Sequence, residues 1–149
     1  MRIAPLLALA ALLGAAPPAL GQTNPLRRQI EAELRRDQCT MTRYALAWRG
    51  QMPGEARPVS VVTYSYEGCG GGNNWASVLG VFLQEGGRHR QVPLPRGATL
   101  PDVVERVGVA DGRILVEGVS YGPDDPRCCP SQRRRAAFVL QDGRLAPAR

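Results

Sequence analysis

The sequence predicts a small domain of the α+β class that is mainly β: one antiparallel sheet of about seven short strands behind a single N-terminal helix, held together by disulfides. Apolar residues at helical spacing occur directly after Asn24. β-Branched and aromatic residues dominate residues 59–66, and the dipeptides Asp111-Gly112 and Asp142-Gly143 are typical of tight hairpin turns. The chain has 149 residues with 17 Gly and 13 Pro, which is enough for one turn-rich domain.

Residues 1–21 have the three parts of an export signal: a positively charged start, an apolar stretch, and small residues at Ala19 and Gly21. Cleavage after this segment leaves residues 22–149 as a single exported β-rich domain. No Cys follows the cleavage site directly, so a lipid anchor is not expected. No later apolar run reaches the roughly 20 residues that span a bilayer. The sequence therefore predicts a soluble periplasmic or secreted protein with no transmembrane segment after cleavage.

The helix is predicted over about residues 25–36. Asn24 is a favourable N-cap, and Pro25 suits the first helical position because the missing N–H has no partner there. The apolar positions fall on one face: Leu26, Ile30 and Leu34. This narrow stripe predicts light packing against a sheet, with charged residues on the other faces.

Strands are predicted from about residue 42 to residue 145, and short turns connect most of them. Residues 59–66 alternate between two faces of a strand, with Val59, Val61 and Thr63 on one and Val62, Tyr64 and Tyr66 on the other. Residues 103–109 are interpreted as a strand, with a short helix as the alternative. The predicted strands cover residues 42–48, 59–66, 75–82, 88–94, 103–109, 113–121 and 136–140, and the turn at Asp142-Gly143 closes the domain.

The four cysteines are Cys39, Cys69, Cys128 and Cys129. In an oxidising compartment an even number of cysteines predicts a disulfide framework. Three full pairings are possible: 39–69 with 128–129, 39–128 with 69–129, or 39–129 with 69–128. We expect two structural disulfides that pin the C-terminal segment to the middle of the domain. A bond between the adjacent cysteines would instead be strained and easily reduced, which would indicate redox use.

Several segments of the chain, taken in order, resemble the corresponding segments of a known group of proteins. They are a Gly-rich loop with Asn-Asn-Trp, the strand Val-Leu-Gly-Val-Phe-Leu, an Asp-Gly hairpin, and Asp-Pro-Arg-Cys-Cys-Pro-Ser at residues 125–131. Over residues 59–145 the chain is similar to uncharacterised exported bacterial proteins and lipoproteins with a C-terminal DPxCCPS-type signature. The resemblance implies an envelope β-domain of unassigned activity and no catalytic residue. This chain lacks the lipid-attachment Cys of the anchored members.

Two segments form the candidate ligand loops. Trp75 can stack on a sugar ring, and the amides beside it can bind sugar hydroxyls, although a tryptophan at a strand start often only packs. The acidic residues before the adjacent cysteines can bind a ligand or only close a turn. The candidate residues are Asn73, Asn74, Trp75, Asp124, Asp125 and Arg127.

Catalytic, metal and cofactor sites are not predicted. His89 is the single histidine, and no nucleophile on a recognisable elbow accompanies it. Adjacent cysteines do not match the two-residue spacing of structural zinc sites. The Gly70–Gly72 run is not followed by the Gly-Lys-Ser/Thr of a nucleotide loop.

The charge balance bears on the binding partner. All 19 basic residues are Arg, and the formal net charge is +6. Arginine clusters can hold carboxylate or phosphate groups, and an exported protein does not usually meet nucleic acid. The expected partner is therefore an unknown protein or an acidic envelope polymer, and not a nucleic acid.

Two hypotheses follow for function. The first is a non-catalytic binding or structural module of the envelope, stapled by two disulfides, that binds a partner through its loops. The second is a thiol-redox or thiol-metal protein that uses Cys128-Cys129, with Arg127 lowering the pKa of the thiol. The sequence favours the first and leaves catalysis open, although it favours a protein that is not an enzyme.

Overall fold

The computed structural model describes residues 24–126 and 128–148. The predicted export signal and Arg127 lie outside these residues. No helix among the described residues is long and apolar enough to cross a membrane. The elements in chain order are α1 (Pro25–Arg36), β1 (Thr40–Gly50), β2 (Val59–Glu67), β3 (Trp75–Glu85), β4 (Arg88–Gln91), β5 (Val103–Ala110), β6 (Arg113–Ser120), β7 (Gln132–Gln141) and β8 (Arg144–Pro147).

The strands form two four-stranded sheets. The first sheet has the order β1-β2-β3-β4 and the second has the order β5-β6-β7-β8, with antiparallel pairing throughout both. The mainly β class and the helix are confirmed, but the expected single sheet of about seven strands is wrong. Residues 103–110 form a strand and not the alternative helix, and the chain after the Asp142-Gly143 turn adds a short eighth strand.

The first sheet is the middle layer of the molecule, and for this reason the strands do not all lie in a single sheet. In β2 the four consecutive residues 59–62 are all buried, and in β3 residues 79–83 are all buried. A strand whose side chains are buried on both faces needs a layer on each side. One helix covers one face, so a second sheet must cover the other. The shared core contains Met52, Val59, Val61, Leu79, Val81, Leu83, Val92, Ile114, Val116, Phe138, Leu140 and Leu145.

The helix packs on the outer face of the first sheet. Leu26 and Ile30 are buried against a cluster of sheet residues: Val62, Tyr64 and Phe82. Asn24 Oδ1 accepts a hydrogen bond from the Leu26 N–H at 3.0 Å, and Asn24 Nδ2 donates to the Tyr44 hydroxyl at 3.1 Å. The same side chain therefore caps the helix and ties its start to β1.

Prolines separate the two sheets in the sequence. The chain after β4 contains Pro93, Pro95 and Pro101, which have no N–H to continue a ladder. The apolar residues between them pack along the shared core: Leu94, Ala98 and Leu100. The chain thus leaves the first sheet at the short strand β4 and begins a new sheet at β5.

Two-residue turns close the tight hairpins. Asp111 and Gly112 have φ of 50° and 69°, and Asp142 and Gly143 have φ of 49° and 71°. Positive φ at both central residues is the geometry of a type I′ turn, which suits the twist of antiparallel strands. The turn dipeptides read from the sequence therefore set the pairing of β5 with β6 and of β7 with β8.

The buried carboxylate of Glu55 joins the two sheets at one end, and its contacts are called the Glu55 clamp. The Glu55 side chain is 3% exposed, and Arg57 donates to its two oxygens at 2.6 and 2.8 Å. Arg57 also donates to Glu85 at 2.6 Å, while the backbone of Gly143 hydrogen-bonds Glu55 from the second sheet. These contacts, led by the Arg57 hydrogen bonds, lower the pKa of Glu55 to about 2.

The Glu55 clamp predicts an acid-dependent loss of stability. The carboxylate has a pKa of about 2 when folded against a model value of 4.5, so its contribution is complete above about pH 4.5 and is lost as the pH falls towards 2. We expect Glu55→Gln to lower the free energy of unfolding at neutral pH by about 2 kcal/mol and to remove this acid dependence. Urea unfolding at a series of pH values measures both effects. Glu31→Gln, which removes an exposed ion pair of α1, is the matched control and should cost under about 1 kcal/mol.

Candidate functional site

The inner face of the first sheet changes from apolar to polar along its strands. On β2, Val59 and Val61 are fully buried in the shared core, and the next positions on that face are Thr63 and Ser65. The pairing places Ser77 of β3 opposite Ser65. The side chains of Thr63, Ser65 and Ser77 are polar, so they do not fill the space between the sheets by apolar packing. The two sheets therefore meet at the Glu55 end and leave an opening at the other end.

This opening is the inter-sheet cleft. It consists of two adjoining hollows of about 320 and about 340 Å³, a size that suits a ligand segment. Four residues line both hollows: Arg43, Ser65, Ser77 and Val104. The first hollow extends along β1 past Ala45 and Ala47. Their small side chains leave room between β1 and the edge of β5.

Trp75 lies at the open end of the cleft. It lines the second hollow together with Val103, and its side chain is 58% exposed. It also borders a further hollow of about 300 Å³ on the β2–β3 loop, with Asn73 and Asn74. An exposed indole with two amides beside it is a surface for stacking and hydrogen bonding. The three residues predicted in this loop therefore lie together beside the cleft, and Trp75 is the one that lines both the cleft and the loop hollow.

The β2–β3 loop is held in place from both sides. The Cys39–Cys69 disulfide links it to the start of β1, immediately after α1. Gly68 N–H donates to the Asn74 carbonyl at 3.0 Å, and Gly70 N–H donates to the Asp37 carbonyl at 3.4 Å. These contacts fix the loop that carries Trp75, although its sequence is rich in glycine.

Arg43 is the cation of the cleft that makes no ion pair in the described part of the chain. Other arginines near β5 make ion pairs: Arg106 and Arg135 with Glu117 at 3.5 and 3.1 Å, and Arg133 with Glu105. Within residues 24–126 and 128–148, Arg43 makes no ion pair. Its guanidinium is exposed and can bind a carboxylate through two parallel hydrogen bonds.

The β6–β7 loop is closed by Asp125. Its Oδ2 accepts hydrogen bonds from the N–H groups of Gly122 and Ser131, both at 2.7 Å, and its Oδ1 accepts from the Ser131 hydroxyl at 2.7 Å. These bonds, led by that of Gly122, hold the pKa of the Asp125 carboxyl below its usual range. The Asp125 carboxylate thus stabilises its own loop. Neither it nor the exposed Asp124 lines the hollows at Trp75.

The cysteines pair as 39–69 and 128–129. Only the first bond joins distant parts of the chain, with a sequence separation of 30. The Cys128–Cys129 bond joins adjacent residues and does not pin the C-terminal segment to the middle of the domain. The expectation of two such structural disulfides is therefore wrong. Both of these cysteines are exposed, and the Cys129 N–H donates to the Pro126 carbonyl at 2.9 Å.

His89 has a structural position on β4. Its backbone N–H donates to Gln29 Oε1 at 3.1 Å, and its carbonyl accepts from Gln29 Nε2 at 2.7 Å. The Gln29 side chain thus pairs with the free edge of β4 as a strand would, and it ties α1 to the sheet. Burial, followed by the charge of Arg49, lowers the pKa of His89. No group of three or more His, Cys, Asp or Glu side chains that could hold a metal ion occurs in the described part of the chain.

The sequence by itself indicated half of this site. It singled out Asn73, Asn74 and Trp75, but it missed Arg43 and the hydroxyl-bearing residues of the inner face. A signal for the hydroxyl-bearing residues existed, because Thr63 and Ser65 occupy the next positions on the strand face that begins with Val59 and Val61. Trp75 and Asp125 belong to separate loops, and Arg127 lies outside the described residues.

Comparison with known proteins gives no match: no family model fits the sequence, and neither a curated protein nor a solved structure is significantly similar to the chain. The resemblance of residues 125–131 to a signature of exported bacterial proteins therefore stays a prediction.

Proposed function

We propose that the chain is an exported, non-catalytic binding module of the cell envelope that holds an acidic polysaccharide in the inter-sheet cleft. The observation that carries this proposal is the open cleft itself, with Trp75 at its mouth and, on its wall, Arg43, which makes no ion pair within the described residues. The export part of the proposal derives from the sequence of residues 1–21.

The chemistry of the cleft suits a sugar acid. The exposed ring of Trp75 offers an apolar face on which a sugar ring can stack. The hydroxyls of Ser65 and Ser77 and the amides of the neighbouring loop offer both donors and acceptors for sugar hydroxyls. Arg43 supplies the charge that a uronic acid carboxylate requires.

The open form of the cleft suits a polymer. The two hollows adjoin each other along β1, from the Trp75 end to Ala47, so a chain of sugars can lie across several contacts. The excess of arginine over acidic residues, with a formal net charge of +6, favours a polyanion over a neutral polymer.

Calorimetric titration of the mature protein with polygalacturonate, and with dextran as the neutral comparison, tests the proposal. We expect binding of the acidic polymer that weakens with salt, and little binding of dextran. Trp75→Ala and Arg43→Ala should each weaken binding about tenfold or more, since each removes a main contact. Arg144→Ala, which removes an exposed charge on β8, should leave the affinity unchanged.

The result that contradicts the proposal is equal binding by all variants, or none by the unchanged protein. If Arg144→Ala weakened polymer binding as much as Arg43→Ala, the protein would be attracting the polymer by its net charge alone. Capture of a protein partner that Trp75→Ala abolishes, without polymer binding, would replace the polysaccharide by a protein ligand.

A further inference from the structure

The two disulfides differ in their accessibility to a reductant. Cys39 is 5% exposed and Cys69 is partly buried, whereas Cys128 and Cys129 are both exposed on the β6–β7 loop. Reduction of a disulfide requires a thiolate to reach a sulfur along the bond. The Cys128–Cys129 bond is therefore open to attack by a protein thiol, and the Cys39–Cys69 bond is less accessible.

The two disulfides also differ in what the fold gains from them. Cys39–Cys69 closes a long stretch of chain and fixes the Trp75 loop, so its reduction must work against the stability of the fold. Cys128–Cys129 closes no loop beyond its own two residues. The fold therefore does not oppose its reduction.

The β6–β7 loop keeps its ends together without the disulfide. The three hydrogen bonds to Asp125 join Gly122 to Ser131 across the base of the loop. None of these bonds involves a sulfur atom. The loop can therefore pass between oxidised and reduced forms while the two sulfurs stay adjacent and exposed.

We propose that Cys128 and Cys129 form a reversible disulfide/dithiol couple that accepts two electrons from a dithiol protein, while Cys39–Cys69 remains oxidised. This activity is separate from polysaccharide binding. A thiolate of the donor attacks one sulfur, the Cys128–Cys129 bond breaks, and the other cysteine leaves as a thiolate that takes up a proton. The second donor thiol then attacks the mixed disulfide, so the donor becomes a disulfide and the pair gains two electrons and two protons.

Titration of the mature protein with mixtures of reduced and oxidised dithiothreitol tests the couple, with alkylation of free thiols and peptide mass spectrometry at each point. We expect Cys128 and Cys129 to be alkylated together, at a ratio of reduced to oxidised reagent roughly 100-fold lower than that needed for Cys39 and Cys69. Oxidised glutathione should restore the bond. The thermal unfolding midpoint should not change when only this pair is reduced.

Cys128→Ser/Cys129→Ser is the control and should release no thiol under the mild conditions. Three results would overturn the proposal: free thiols at both positions in the oxidised protein, reduction of the two disulfides at the same ratio, or a bond from Cys128 or Cys129 to Cys69 after re-oxidation. None of these results depends on the polysaccharide, so failure of one proposal leaves the other standing.

Discussion

Replacing Cys39 and Cys69 together by serine is expected to lower the free energy of unfolding by about 3–4 kcal/mol. The bond joins residues with a sequence separation of 30, and closing a loop of this length restricts the unfolded chain. In the folded protein the bond also holds the Gly-rich loop against the start of β1. Urea unfolding followed by circular dichroism measures the change as a lower midpoint.

The matched comparison is Cys128→Ser/Cys129→Ser, which removes the same number of sulfur atoms. We expect a change of less than about 1 kcal/mol, since a bond between adjacent residues restricts little of the unfolded chain. A large loss in both variants, or a larger one at Cys128 and Cys129, would contradict the assigned pairing. It would instead support a bond from the C-terminal loop to the middle of the domain.

Phe138→Ala is expected to cost about 3–5 kcal/mol, because it empties a large site between the sheets. The ring is 1% exposed on the inner face of β7 and packs in the core shared with Val59, Val81 and Leu83 of the first sheet. The large cavity is the physical cause, since the close-packed neighbours on two sheets cannot collapse into it. Equilibrium unfolding in urea measures the loss.

Leu115→Ala is the control for the two-sheet arrangement. Leu115 is on β6, next to β7 in the same sheet, but its side chain is 40% exposed on the outer face. We expect a loss of less than about 1 kcal/mol there. Similar losses for Leu115→Ala and Phe138→Ala would mean that both faces of the second sheet are covered, which contradicts the layer order described above.

Local signals predicted the elements well. Asn24 and Pro25 mark the start of α1, and the stripe of Leu26 and Ile30 is the face that the helix buries. The Asp111-Gly112 and Asp142-Gly143 dipeptides form the expected turns. Each of these features depends on a few neighbouring residues, whose backbone preferences and hydrogen bonds do not need the rest of the chain.

Half of the candidate site was within reach of the sequence. The Asn73-Asn74-Trp75 run is visible because aromatic and amide residues follow a flexible glycine loop. Arg43 was not, because nothing local shows that β1 and β5 face each other across a cleft. The pairing of cysteines was likewise open, since three pairings satisfy the same sequence.

The sequence by itself determined the class of the protein, its helix, most of its strands and its tight turns, because these depend on neighbouring residues and on side-chain periodicity. The tertiary structure decided the division into two sheets, the cleft between them, and the partners of the cysteines. These depend on which buried faces meet, and a strand that is apolar on both faces does not specify whether a helix or a sheet covers each one.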